Sequence, residues 1–415
     1  MWAIPAIAIA LLGYAAVSRR LAGGVITAPI VFTGVGLVLG PSVTSIIEVR
    51  PTHHLVKLLA ELTLGAVLFS DASRTNMREL RDEYRLPGRL LGIGLPLTIA
   101  CGLAFALIAF GSMEWPEALV LAVVLAPTDA GLGQAVVTLP VVPERVRLAL
   151  NIESGLNDGI CVPVFFTAIA IASTRAGIAT DSHAIKLLVE EIGYGTLFGV
   201  LAGLFAGAIV LVAVPRGLVD QPWLQIVPVA AATLAFTSAD AVGGSGFVAT
   251  FVAGLVFGGI RRRAGGGIGY LIDQLGTLFG GATYIVFGAV LLEPALGHIT
   301  TAVALYALVS LTAVRMIPVA VALLGTHLKR QTVSFIGWFG PRGLASIVFA
   351  ILITENEARL PSEGTMLTTI YVTVALSVLL HGLSAAPIAR RFGAWSLRDE
   401  TRAEAPSTPA PTPAA

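Results

Sequence analysis

The chain has 415 residues, of which 56% are hydrophobic and 12% charged, with a mean hydropathy of +0.86 and a net charge of +1. A soluble domain carries about 25% charged residues, so the composition describes an all-α, polytopic integral membrane protein and excludes an ordinary soluble enzyme. The near-neutral charge, with no basic patch interleaved with aromatics, argues against a nucleic-acid partner, and two cysteines, Cys101 and Cys161, are too few for a disulfide scaffold or a cysteine metal cluster.

Apolar runs of the length that crosses a bilayer, about 20 residues each, recur from end to end. The first, 2–17, starts at Trp2 without the basic segment of a cleaved signal and is expected to remain in the mature protein. Further spans are predicted at 25–40, 55–71, 89–110, 115–139, 146–173, 185–214, 224–241, 245–260, 270–292, 299–324, 332–353 and 364–389, about thirteen in all. Most of the glycines and prolines lie inside these runs, where they mark close packing or helix breaks. Lys and Arg test the division. One side receives Arg19 and Arg20, the arginines from Arg74 to Arg89, Arg145, Arg147, Arg216, Arg261 to Arg263, Lys329, Arg330 and the arginines from Arg390 to Arg402. The other receives Arg50, Lys57, Arg175, Lys186 and Arg359. Positive loops stay in the cytoplasm, so the N-terminus is expected outside, the C-terminus inside and the span count odd, in the plasma membrane. The transmembrane domain is read as 1–390 and the stretch 391–415, which ends in Pro, Ala and Thr, as a short, disordered cytoplasmic tail.

Ionisable residues left inside the spans are costly in lipid and point to function. Asp129 lies in Leu125-Ala126-Pro127-Thr128-Asp129-Ala130-Gly131, where Pro127 and Gly131 weaken the helix. A break there frees carbonyl and side-chain oxygens to line a cavity. The next span carries Glu153-Ser154-Gly155-Leu156-Asn157-Asp158. Ser154 and Asp158, four apart, share a helix face. Thr128, Asp129, Ser154 and Asp158 can therefore converge as an oxygen cage of the kind hard cations require, and a carboxylate in such a cage can hold a proton instead. Arg315 and Arg342 nearly balance the buried carboxylates Asp129, Glu153 and Asp158. Gly340-Pro341-Arg342-Gly343 suggests a second broken helix, in the later half as the first is in the earlier half, the pattern of a transporter built from inverted repeats.

Thr128-Asp129, Glu153-Ser154-x-x-Asn157-Asp158 and Gly340-x-Arg342-Gly343, with Leu68-Phe69-x-Asp71-Ala72-x-Arg74 and Ser245-Gly246-Phe247-x-Ala249-x-Phe251-x-Ala253-Gly254, resemble the NhaP-type branch of the monovalent cation/proton antiporters over about residues 5 to 390. The resemblance implies a homodimer with a dimerisation domain and a mobile six-helix core that contains two broken, crossed helices. It implies that Asp158 binds the cation and the proton, with Thr128, Asp129 and Ser154 as ligands or close supports. Asn157 beside Asp158 marks the electroneutral branch. Glu153 would pair with a core arginine, Arg315 before Arg342, and Arg342 would lie near the crossing of the broken helices. Many relatives have Pro after Thr-Asp, where this chain has Ala130 and Gly131.

The resulting expectation is a secondary antiporter, not an enzyme, that exchanges Na+ (or K+ or Li+) for H+ across the bilayer, with no cofactor and no transition metal. Glu153, Arg315 and Arg342 are read first as structural charge pairs. Glu61 suits a pathway residue or a packed hydrogen bond equally, and Asp240 suits an interface. His53 and His54 are read as loop residues, the Arg78–Arg89 stretch as either a pH-sensing face or a solvated interfacial helix, and Arg261–Arg263 as topology determinants. Two other classes are set against this reading: a cation channel, and an intramembrane serine protease that would join Ser245 of Gly243-Gly244-Ser245-Gly246 to His381.

Overall fold

The computed structural model describes residues 2–21, 24–47, 54–75, 85–129, 131–133, 136, 139–177, 181–261, 267–354 and 360–404. Lipid offers no partner to backbone N–H and C=O groups, so a chain this apolar satisfies them within helices. The earlier half forms α1 (Ala3–Leu21), α2 (Ala28–Leu39), α3 (His54–Arg74), α4 (Arg85–Ala109), α5 (Trp115–Val124) and α6 (Glu144–Arg175). Then come α7 (Asp181–Ala213), α8 (Gln221–Asp240), α9 (Gly246–Arg261), α10 (Tyr270–His298) and α11 (Thr301–Ala322). The chain ends in α12 (Arg330–Trp338), α13 (Leu344–Thr354) and α14 (Glu363–Glu404). Among the described residues, eight helices are long and apolar enough to cross a membrane, namely α1, α4, α6, α7 from Leu188, α8, α10, α11 and α14, and α2, α5, α9 and α13 are shorter apolar ones.

Two of the expected spans are interrupted. In 115–139 the regular helix stops at Val124 and the chain is non-helical through Thr128 and Asp129. In 332–353 it stops at Trp338 and resumes at Leu344. Two others widen without breaking: π turns at Leu90–Gly94 and Phe287–Leu292 each come just before a proline, Pro96 and Pro294. A proline cannot donate to the carbonyl four residues back, and a wider turn absorbs the missing bond. The chain end also differs from the expectation. α14 runs on to Glu404, so 391–404 is helical; residues 405–415, Arg78, Arg81, Arg262, Arg263 and His53 lie outside the described residues.

The helices pack in two groups. α2, α3, α7, α8, α9 and α10 pack on one another, with α1 against α2 and α10; α4, α5, α6, α11, α12, α13 and α14 form the second group. Glycines set the distances in the first. Gly195, Gly199, Gly203 and Gly207 recur every four residues on α7 and bring it onto α9, where a Cβ at Gly199 would meet the Val252 side chain at 2.8 Å. Close backbone approach through small residues is the usual basis of helix association in lipid. In the second group polar pins do this work. The Glu117 carboxylate of α5 accepts from Ser362 N–H (2.6 Å) and Ser362 Oγ (2.7 Å), just before α14. Arg89 of α4 donates to the carbonyls of Ala322 and Leu324 (2.6 Å each) and so closes the end of α11.

Candidate cation and proton site

The two interruptions meet. Asp129 N–H donates to the Pro341 carbonyl at 2.8 Å, so the non-helical stretch after α5 touches the one between α12 and α13. Broken helices leave carbonyls without partners, and Arg342 answers part of that need. Its Nη1 donates to the carbonyls of Ala126 (2.6 Å) and Pro127 (3.0 Å). Arg342 is completely buried and binds backbone oxygens there. Its own N–H donates to Ser377 Oγ on α14 (2.7 Å). Ser346 Oγ of α13 donates to the Val124 carbonyl (2.7 Å), a further stitch between the breaks.

Arg315 is the partner of Glu153. The two side chains are 1% and 2% exposed and face one another through two contacts, Nη1–Oε1 at 2.6 Å and Nη2–Oε2 at 2.9 Å. This bidentate pair joins α6 to α11. Gly340 is required beside it, because any Cβ there would collide with the Arg315 guanidinium.

Asp129 is half-buried and fully engaged. Oδ1 accepts from Gly131 N–H (2.7 Å); Oδ2 accepts from Leu344 N–H (3.0 Å), at the start of α13, and from Tyr284 Oη (2.9 Å). A carboxylate at a helix N-terminus satisfies an orphan donor and opposes the positive end of the dipole. Gly343 is obligatory for this fit, since a side-chain carbon there would occupy the position of the Asp129 carboxylate.

Thr128, Ser154 and Asn157 are buried together. Ser154 Oγ donates to the Thr128 carbonyl, and Asn157 Nδ2 donates to Thr128 Oγ1 at 2.7 Å. Asp158 differs from its neighbours: Oδ1 is buried and accepts no hydrogen bond, and Asn157 Oδ1 is in the same condition. Buried acceptors are nearly always paired. Asp71, on α3, lies against Gly155, one turn before Asp158. A small cleft reaches this region, lined by Thr128, Asp129, Gly133, Val136, Leu150, Ser154, Phe339 and Pro341. Its lining runs from the breaks through Gly133 and Val136 to Leu150, near the end of α6 that carries Arg145 and Arg147. The arrangement supplies carboxylate, carbonyl, amide and hydroxyl oxygens within one buried patch, the ligand chemistry of a hard cation, and a carboxylate free to take a proton.

Other sequence candidates fall elsewhere. Ser245 Oγ accepts from Val248 N–H (3.3 Å) and caps α9. His381 is completely buried with Nε2 at the Trp338 carbonyl (3.0 Å) and Nδ1 near Ser377. Each is engaged on its own helix group, so they form no serine–histidine dyad. Asp240 is exposed at the end of α8, Glu61 is half-buried on α3, and Arg261 donates to the Ile268 carbonyl. Sequence reasoning gave Asp71 no role, although it stands in one of the quoted runs. It did not single out Tyr284, Ser346 or Ser377, which are ordinary hydroxyl residues of apolar spans until their partners are known.

Comparisons with known proteins give the family and the fold. An uncharacterized Na(+)/H(+) exchanger of Mycobacterium tuberculosis is 28% identical over 382 residues, which covers 83% of this chain and 66% of that protein. The K(+)/H(+) antiporter NhaP of Alkalimonas amylolytica is 24% identical over 337 residues, 80% of this chain and 57% of that protein. The chain thus spans less than two thirds of the length of these relatives. Among solved structures, the sodium proton antiporter MjNhaP1 from Methanocaldococcus jannaschii at pH 8 superposes with a TM-score of 0.77 at 20% identity, covering 95% of this chain and 99% of that one. That likeness shows the fold, the one MjNhaP1 has. The transmembrane sodium/hydrogen exchanger profile matches residues 7–391, through both interrupted helices and the Asp158 patch between them, and this chain belongs to the sodium/hydrogen exchanger family.

Proposed function

We propose that the chain is a secondary antiporter that exchanges a monovalent cation, Na+ or K+, for H+, and that cation and proton compete for Asp158. The observation that carries this reading is the buried, unpaired Oδ1 of Asp158 next to the unpaired Oδ1 of Asn157. Around it Arg342 donates through Nη1 to two carbonyls and keeps Nε and Nη2 unpaired, while Glu153 is paired with Arg315 and Asp129 accepts from three donors. A buried charge without a partner is expensive, and a cation or a proton relieves it. In this reading Asp158 holds either ion, Ser154, Thr128 and Asn157 supply oxygen nearby, and Asp129 supports the site as a cap and counter-charge. The relatives named for Na+/H+ and for K+/H+ exchange leave both cations as candidates. Asn157 beside Asp158 belongs to the electroneutral pattern, one cation for one proton.

The same proposal carries the architecture: thirteen spans with the N-terminus outside, two crossed broken helices in a core that rocks against the first helix group, inverted repeats and a homodimer. The arginine-bearing face toward which the cleft lies is then cytoplasmic. The order in which the chain visits the two groups supports a repeat. α1–α3 and α7–α10 build the first, α4–α6 and α11–α14 the second, with one interruption from each half.

The test is proton flux in liposomes that hold the purified protein, a pH gradient and an internal pH dye. Addition of Na+, K+ or Li+ is expected to dissipate the gradient with wild type and to leave it standing with Asp158→Ala. A well-folded wild type that moves no protons on addition of any of these cations refutes the reading.

A further inference from the structure

The bond from Tyr284 Oη to Asp129 Oδ2 (2.9 Å) connects helices of different groups. Tyr284 lies on α10, which packs on α2 and α3, whereas Asp129 lies in the break after α5, within the second group. The other bonds around the site stay inside one group. Glu153 with Arg315, Asn157 with Thr128, and Arg342 with the Ala126 and Pro127 carbonyls are all second-group contacts. Ser70 with Asp273 is a first-group contact.

Tyr284 is anchored on its own side. Its neighbour Thr283 shares a hydrogen bond with Thr63 of α3 (2.8 Å), and both residues are buried. Phe287 N–H is shared between the Thr283 and Tyr284 carbonyls where α10 widens into its π turn. Such turns in an α-helix are frequent at functional sites. Asp129 is anchored on the other side by Gly131 N–H and Leu344 N–H. Those two donors travel with Asp129, and the tyrosine does not. When the bond opens, the carboxylate keeps a partner on each oxygen, so opening strands no buried charge. The contact is therefore one that a movement of one group against the other would open without stranding the Asp129 carboxylate.

We propose that Tyr284 is a positioning residue for exchange: its hydroxyl holds Asp129, and with it the Thr128–Asp158 patch, in the arrangement whose cleft lies toward the arginine-bearing face, and it releases as the second group moves. The movement rests on the antiporter reading; the bond and its place between the groups do not.

The test places a single cysteine at Val136, which lines the cleft, in a Cys101→Ala, Cys161→Ala background. A membrane-impermeant maleimide is applied from the arginine-bearing face of oriented vesicles. Tyr284→Phe removes one hydroxyl and is expected to move the equilibrium between the two arrangements about tenfold away from this one, the size of one hydrogen bond to a charged group. Starting from about ten to one in favour of this arrangement, labelling at position 136 then slows about twofold, and half-saturation by cation at that face rises with it. In an Asp129→Asn background the same change adds nothing, because the hydroxyl acts through the carboxylate. Unchanged labelling in Tyr284→Phe, or an equal effect with and without Asp129, overturns the proposal. If Tyr284→Phe does not give monodisperse protein, Tyr284→Met is measured in the same way. Labelling needs no ion flux, so a wild type without exchange defeats the antiporter reading while the labelling still decides the role of Tyr284.

Discussion

Glu153 and Asp158 stand five residues apart on α6, both buried, and differ in what faces them. Glu153 meets a guanidinium through both oxygens. Among the described residues Asp158 has no facing cation as a hydrogen-bond partner, and it keeps one oxygen unpaired. Removing a partner from a buried ion pair costs about 3–5 kcal/mol, whereas replacing both partners with apolar residues costs much less. Glu153→Ala and Arg315→Ala should each lower the melting temperature in detergent steeply, and Glu153→Leu combined with Arg315→Met should recover most of the loss. If the double variant melts as low as the singles, the pair is not what holds α6 to α11. Asp158→Asn should behave in the opposite way. It removes an uncompensated charge, so the melting temperature should hold or rise, while cation-induced stabilisation disappears. That stabilisation is about 1.4 kcal/mol in a competent protein at ten times Kd. A cation that protects Asp158→Asn as well as wild type does not bind at Asp158. The sequence identifies Asp158 because a charge in an apolar run demands a reason. It does not reveal the three donors on Asp129, since Leu344 and Tyr284 lie far along the chain and nothing in their own neighbourhoods points to it.

At the scale of helices, two kinds of contact need different tests. The α7–α9 contact depends on missing side chains: at Gly199 a Cβ would press on the Ala249 carbonyl and Val252. Gly193, on the same helix, has open space around it. Gly199→Leu should overpack the contact by about 1–3 kcal/mol or more and reduce the yield of folded protein. Gly193→Ala should be neutral or slightly stabilising, because alanine is the better helix former by about 1 kcal/mol. Size-exclusion profiles and melts of the two variants check this, and equal behaviour would mean the glycine stripe does not set the packing. The helix breaks were legible because Pro127 and the Gly340–Gly343 segment cannot continue a regular helix through an apolar run. The end of α14 was not, because Leu397 to Glu404 alternates helix-forming residues with charge, a pattern that fits a helix leaving the membrane as well as a solvated tail. The π turns were likewise hidden: a proline announces a disturbance, and its form depends on the packing around Pro96 and Pro294.

Across the whole molecule, the charge asymmetry between loops and the alternation of the chain between two helix groups fit the proposed exchanger, with its site between the breaks. Competition for that site makes a prediction that belongs to no single residue. At low pH protons hold the site and the cation is kept off; at high pH few protons are left to exchange, so the rate is bell-shaped in pH. The acidic limb then reports stoichiometry. If one proton competes with one cation, raising the cation tenfold moves the acidic limb down by about one pH unit; if two protons must leave before one cation binds, the same tenfold rise moves it by about half a unit, by linkage. The Asn157–Asp158 pair predicts the first value, along with a rate that does not respond to an imposed membrane potential. Liposome flux at three or four cation concentrations, each scanned across pH with and without a potassium-diffusion potential (or its Na+ counterpart if K+ is the substrate), measures both. A half-unit shift with a voltage-sensitive rate would assign a second proton-carrying carboxylate to the cycle, and Asp71, beside Gly155, is where that proton would be sought. A limb that ignores the cation would mean that proton and cation occupy different sites, and shared occupancy of Asp158 would fall with it.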